Sequence, residues 1–143
     1  MRRLSEDALF SGGGGIAHFA ACVVGELMCS HEFAQHVVDL RQALTDRSNA
    51  LLEGLGVAGP ASGAGGLFHW WPMPEGQESE ALRATAAQAG VGVVTEAVFK
   101  TTFRAWRPAV RMAFSSHEPA TLRRAGAAVA LAADQAWAIA RCP

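Results

Sequence analysis

Lysine is nearly missing from this chain. Of its twelve basic residues eleven are arginine, and the one lysine is Lys100. Chemistry that needs a lysine amine must use Lys100 or a residue from outside the chain. Cysteine is scarce as well: Cys22, Cys29 and Cys142 are three in 143 residues, which excludes a disulfide framework. Cys22 and Cys29 stand seven apart on an expected helix, about 10 Å along its axis and too far to bridge. A reducing cytoplasm is the expected setting. Charged residues are 17% of the chain and nearly cancel, to a net charge of −1, so the total charge implies no polyanion-binding surface and no nucleic-acid partner is expected. A long apolar run is also lacking. Residues 8–25 are uncharged, but four adjacent glycines and His18 interrupt them, leaving less than the ~20 residues of a membrane span. Met1-Arg2-Arg3-Leu4 begins like a signal peptide, yet Glu6 and Asp7 break it at once. Neither membrane insertion nor export is expected.

What is present is a core. Half of the 143 residues are hydrophobic, which suits one compact domain and excludes a disordered chain. Residues 5–10 suggest a helical turn before the loop Gly12–Gly15, and residues 16–28 read as a buried helix. Ser30 is placed to cap a long amphipathic helix over 31–55, with Phe33, Val37, Leu40, Leu44, Leu51, Leu52 and Leu55 on one stripe. From Gly54 to Gly66, Pro60 and repeated glycines mark a linker or turn region. Strands are expected at 67–71, 91–94 and 109–115, with residues 95–108 irregular. Helices are expected at 79–89, stopped by Gly90, and from Ser116 or Pro119 to about Trp137. The order helix, helix, strand, helix, strand, strand, helix makes an α+β or split α/β layer arrangement. Phe19, Phe33, Phe68 and the tryptophans are expected in the core.

Several motifs fail on inspection. His31 and His36 are five apart, about 140° around a helix, where a zinc-protease pair needs four. No cysteine pair has zinc spacing, and no metal site is expected. Gly12–Gly15 is neither kind of phosphate-binding loop, although its backbone amides lead toward a helix and could face an anion. No serine sits in a G-x-S-x-G elbow.

One strand carries a chemical signal. In Ala109-Val110-Arg111-Met112-Ala113-Phe114-Ser115, alternation sends Val110, Met112 and Phe114 to the core and Arg111 to the other face, among Ala109, Ala113 and Ser115. Small neighbours leave space beside a fixed cation whose forked donors suit a carboxylate. The competing reading is an arginine paired to a protein carboxylate or lying in solvent.

Five segments, taken in order, resemble the small domain of class I/II (fold-type I) aminotransferases. Ser11-Gly12-Gly13-Gly14 is similar to the loop before the interdomain helix, and Leu40-Arg41 with Arg47-Ser48-Asn49-Ala50-Leu51-Leu52 is similar to that helix. Residues 65–76, Gly-Gly-Leu-Phe-His-Trp-Trp-Pro-Met-Pro-Glu-Gly, look like the small-domain strand and its turn. Ala89-Gly90-Val91-Gly92-Val93 looks like the following helix end and short strand, and Val110–Ser115 looks like the arginine-bearing strand. The resemblance is greatest to 2-aminoadipate-type enzymes and the aminotransferase-like domains of MocR regulators.

The resemblance implies an α+β fold, a long interdomain helix plus a small mixed sheet covered by helices. Residues 1–30 would be a remnant of the large-domain end and 31–143 the small domain. It also implies pyridoxal 5'-phosphate (PLP) as cofactor, amino-group transfer between an amino acid and a 2-oxo acid, and a homodimer in the complete protein. Arg111 matches the arginine that grips the substrate carboxylate, and Ser11 matches a loop near the cofactor phosphate. The Schiff-base lysine of such enzymes precedes the Ser11 loop, and Lys100 does not match it, so this chain alone is expected to be inactive. Where the family carries Pro-Gly, this chain has Thr95-Glu96, with Phe99 retained; a carboxylate at 96 is expected to compete for Arg111. Two other readings stay open: the effector-binding domain of a MocR/GntR-type regulator, and a stand-alone domain for a small ligand or partner.

Overall fold

The computed structural model describes residues 17–57, 66–99 and 107–140. The chain divides into two compact units, Met1–Arg41 and Gln42–Pro143. In the first lie helix α1 (His18–Met28) and residues 31–41 of the long helix α2 (His31–Gly54). Ser30 caps α2 as its sequence predicts: the Phe33 amide donates to Ser30 Oγ at 3.1 Å, which satisfies one of the helix's open N–H groups. α1 departs from the expectation. It was read as buried because residues 16–28 are almost all apolar, yet Phe19 is 83% exposed, and Val23, Val24, Leu27 and Met28 are each more than half exposed. Composition shows that a helix avoids water; it does not show what shields it. No disulfide joins Cys22 and Cys29.

The second unit is α+β. Strand β1 (Phe68–Pro72) is followed by helix α3 (Ser79–Gln88), the short strand β2 (Val94–Thr95), a single 3-10 turn (Glu96–Phe99), strand β3 (Ala109–Ala113) and helix α4 (Pro119–Ala140). The sheet order is β1-β3-β2, and both pairings are antiparallel. β3 is central. Trp70 and Val94 lie opposite Arg111 on its two sides, so all three share one face. Pro72 ends β1 rather than standing beyond it, opposite Ala109. An edge strand tolerates the missing N–H, and the next amide, Met73, donates to the Pro108 carbonyl at 2.8 Å.

One face of the sheet is covered by helices. α3 packs on α4 and reaches β2 and β3. The core joins Leu51, Leu52 and Leu55 from the end of α2, Leu82 and Ala86 from α3, Val110, Met112 and Phe114 from β3, and Leu122, Val129 and Ala133 from α4. Leu82 and Val110 have no exposed surface, and burying such a side chain is worth about 1.5–3 kcal/mol. α3 stops at Gly90, whose φ of +78° a side chain would oppose.

α2 and α4 meet backbone to backbone. A Cβ on Gly126 would stand 2.4 Å from the Leu51 carbonyl oxygen, and one on Gly54 would stand 2.1 Å from the Arg123 carbonyl oxygen. Only glycine at both places permits that approach. Gly54 was expected to open the linker; instead it is the last residue of α2 and part of a helix crossing. Beside it, Arg123 Nε donates to Glu53 at 2.9 Å.

Candidate functional site

The sheet face turned away from the helices carries Phe68, Trp70, Arg111, Ala113 and Val94. They arrive there by the period of two along β1 and β3 and by the cross-strand register. Alternation alone predicted this for Arg111, which is half-buried between fully buried Val110 and Met112. The aromatics were expected in the core. Phe68 and Trp70 are instead 45% and 43% exposed, whereas Trp71 and Trp137 pack against the core. β1 gave no usable sign, because Phe68 and Trp70 on one face and Trp71 on the other are equally apolar, and the polar residue between them, His69, points inward.

The Arg111 guanidinium lies over the Phe68 ring, 4.3 Å from its centre, and 5.0 Å from the centre of the Phe99 ring. Phe99 comes from the 3-10 turn and meets Trp70 edge-on at 5.6 Å. Cation–π contact holds the guanidinium against both rings. Its five N–H donors lie in the plane of the group. Among the described residues no carboxylate pairs with it. The 3-10 turn packs against β3 at the Ala109 end, and beside Arg111 at the other end stands the small, exposed Ala113.

Glu96 does not compete for Arg111. Its carboxylate is buried, at 5% exposure. It accepts from the Ser79 hydroxyl at 2.5 Å and from the Ala109 amide at 3.2 Å. These bonds tie the start of α3, the 3-10 turn and the first residue of β3 together. A buried carboxylate is kept only where such donors satisfy it.

On the helix side His69 meets Ser48 Oγ at 2.9 Å and its ring lies 4.8 Å from that of Phe114. Burial pushes its pKa below the ordinary 6.5, and a hydrogen bond with Ser48 acts the other way. Arg47 donates to the Ser115 carbonyl at 2.9 Å, which holds the end of β3 to α2.

Ser11, Gly12–Gly15, Lys100 and Cys142 lie outside the described residues. His31 and His36 are exposed, and no group of three metal-ligating side chains occurs among the described residues. No described helix is long and apolar enough to cross a membrane. The described residues do not fit PLP by themselves, since none of them is a lysine.

No protein-family model matches the chain, and no curated protein matches it. Among solved structures it is similar to the kynurenine aminotransferase of Pyrococcus horikoshii, determined in complex with PMP, KYN as substrates and KYA as products. The TM-score is 0.61 and the identity 22%, over 73% of this chain and 27% of that one. The chain therefore spans much less than half of the protein it matches. At that identity the likeness is one of fold: the α+β arrangement described above is similar to part of that structure.

Proposed function

We propose that this chain supplies the substrate-carboxylate grip of a PLP-dependent aminotransferase, with residues 31–143 as its small domain and residues 1–30 as the end of its large domain. The observation that carries the reading is Arg111: a cation on the central strand, held by two rings, on the sheet face that no described helix covers, with no protein carboxylate against it among the described residues. A guanidinium so held binds a carboxylate through two parallel N–H···O bonds. The amino group is exchanged between an amino acid and a 2-oxo acid, and both carry that carboxylate. The Schiff-base lysine and the partner of the cofactor ring come from outside the described residues. Ser11 is assigned to the loop near the cofactor phosphate, and the complete protein to a homodimer.

The test is a titration of the isotopically labelled chain with pyruvate and L-alanine, followed by amide shifts. Shifts should centre on residues 68–70, 94 and 110–113. Arg111→Gln should weaken binding by about 30-fold, because a charge-assisted bond is worth about 1.5–3 kcal/mol. Arg111→Lys should recover only part of it, since the charge returns without the fork. Binding indifferent to Arg111→Gln, or no binding at all, would overturn the reading.

A further inference from the structure

We infer that the acid held at Arg111 has an aromatic side chain: the site selects aromatic 2-amino and 2-oxo acids over small ones and over dicarboxylic ones. This rests on the carboxylate reading of Arg111 and adds what the rest of the molecule in that site must look like.

Among the described residues, the outer sheet face brings together one cation and three large aromatic rings. Phe68 and Phe99 stand against the guanidinium, and Trp70 stands against Phe99. Val94 completes the row through Arg111 on its other side. Among the described residues of that face no second cation occurs. Arg107, the nearest in sequence, precedes β3 and lies with Met73–Gly76 and Pro108 instead. A dicarboxylate anchored by one end at Arg111 would point its other charge at rings and Val94, with no described cation to meet it.

A small acid such as pyruvate would use the fork and nothing else, and Phe68 and Trp70 would keep about half of their surface in water. An aromatic side chain uses both. With its carboxylate in the guanidinium plane, its ring meets ring faces and edges already arranged 5.6 Å apart and edge-on between Trp70 and Phe99, a geometry aromatic groups extend favourably. Ala113, directly opposite Phe68, leaves that part of the face open.

The experiment measures dissociation constants of the full chain for phenylpyruvate, pyruvate and 2-oxoglutarate by amide-shift titration. Phenylpyruvate should bind about tenfold tighter than either of the others. Trp70→Ala should bring phenylpyruvate to the level of pyruvate, weakening phenylpyruvate far more than it weakens pyruvate. Phe99→Leu keeps bulk in the turn and should remove most of the same advantage, which guards against a Trp70 variant that fails to fold. Equal binding of the three acids, tighter binding of 2-oxoglutarate, or an advantage untouched by both variants would overturn the aromatic selectivity and leave the carboxylate grip standing. Binding of all three that survives Arg111→Gln, or binding of none, would overturn the grip itself and the selectivity with it.

Discussion

The two faces of β3 are made from alternate residues of one strand and do opposite things. Val110, Met112 and Phe114 are buried to 4% exposure or less and are held by three helices. Arg111 between them faces the aromatics of the uncovered side. The inner face is stabilised by volume and fit; the outer face leaves apolar surface in contact with water and a cation with no carboxylate partner among the described residues. Residues that satisfy no rule of packing on an otherwise well-packed strand point to ligand recognition. The difference teaches that stability and binding can be altered separately here, one residue apart.

The inner face is broken hardest through the helix crossing behind it. Gly126→Ala should cost about 3 kcal/mol, since its Cβ meets backbone atoms that have no rotamer to move. Gly126→Leu should leave no cooperative unfolding transition in urea. Next comes the direct contrast. Phe114→Ala should lower stability by about 3–4 kcal/mol through a core cavity. Trp70→Ala, on the other face, should change it by less than about 1 kcal/mol. Equal losses in denaturant titrations would erase the distinction between the faces. Glu96→Ala sits between them. It leaves the Ser79 hydroxyl and the Ala109 amide without their acceptor, and should cost about 1–3 kcal/mol. Because that carboxylate sits away from Arg111, its removal should not tighten carboxylate binding.

Arg111→Gln should move stability by no more than about 0.5 kcal/mol while weakening carboxylate binding by about 30-fold, which sharpens the comparison from the other side. The smallest effect is one of pH. His69 takes up its proton less readily folded than unfolded, because burial disfavours its charged form. Below its ordinary value of 6.5 the unfolded chain binds more protons, so stability falls as the pH drops through 6.5 toward the lowered folded value and levels off beneath it. His69→Gln should flatten that slope in urea melts between pH 7 and pH 5.

Much of the fold was legible in the sequence. The Ser30 cap, the Gly90 stop, the alternation of β3 and the start of α4 each follow from local chemistry and occur where expected. Arg111 was legible for the same reason. What failed was information carried between segments. Gly54 reads as a breaker until Gly126 is placed against it. Glu96 reads as a rival for Arg111 until Ser79 and the Ala109 amide are brought to it. Phe68 and Trp70 read as core because an exposed ring and a ring that fills an interior have the same composition, and only the register of β1 on β3 separates them.

The place of Arg111 on the central strand has a consequence in time. β3 is hydrogen-bonded on both sides around that residue, so its amides should exchange with solvent only when the whole domain opens. Trp70 belongs to an edge strand and Phe99 to one isolated turn, and such elements open earlier and more often. The charge therefore keeps its address for as long as the domain stays folded, while the rings around it can breathe: a fixed point with adjustable walls.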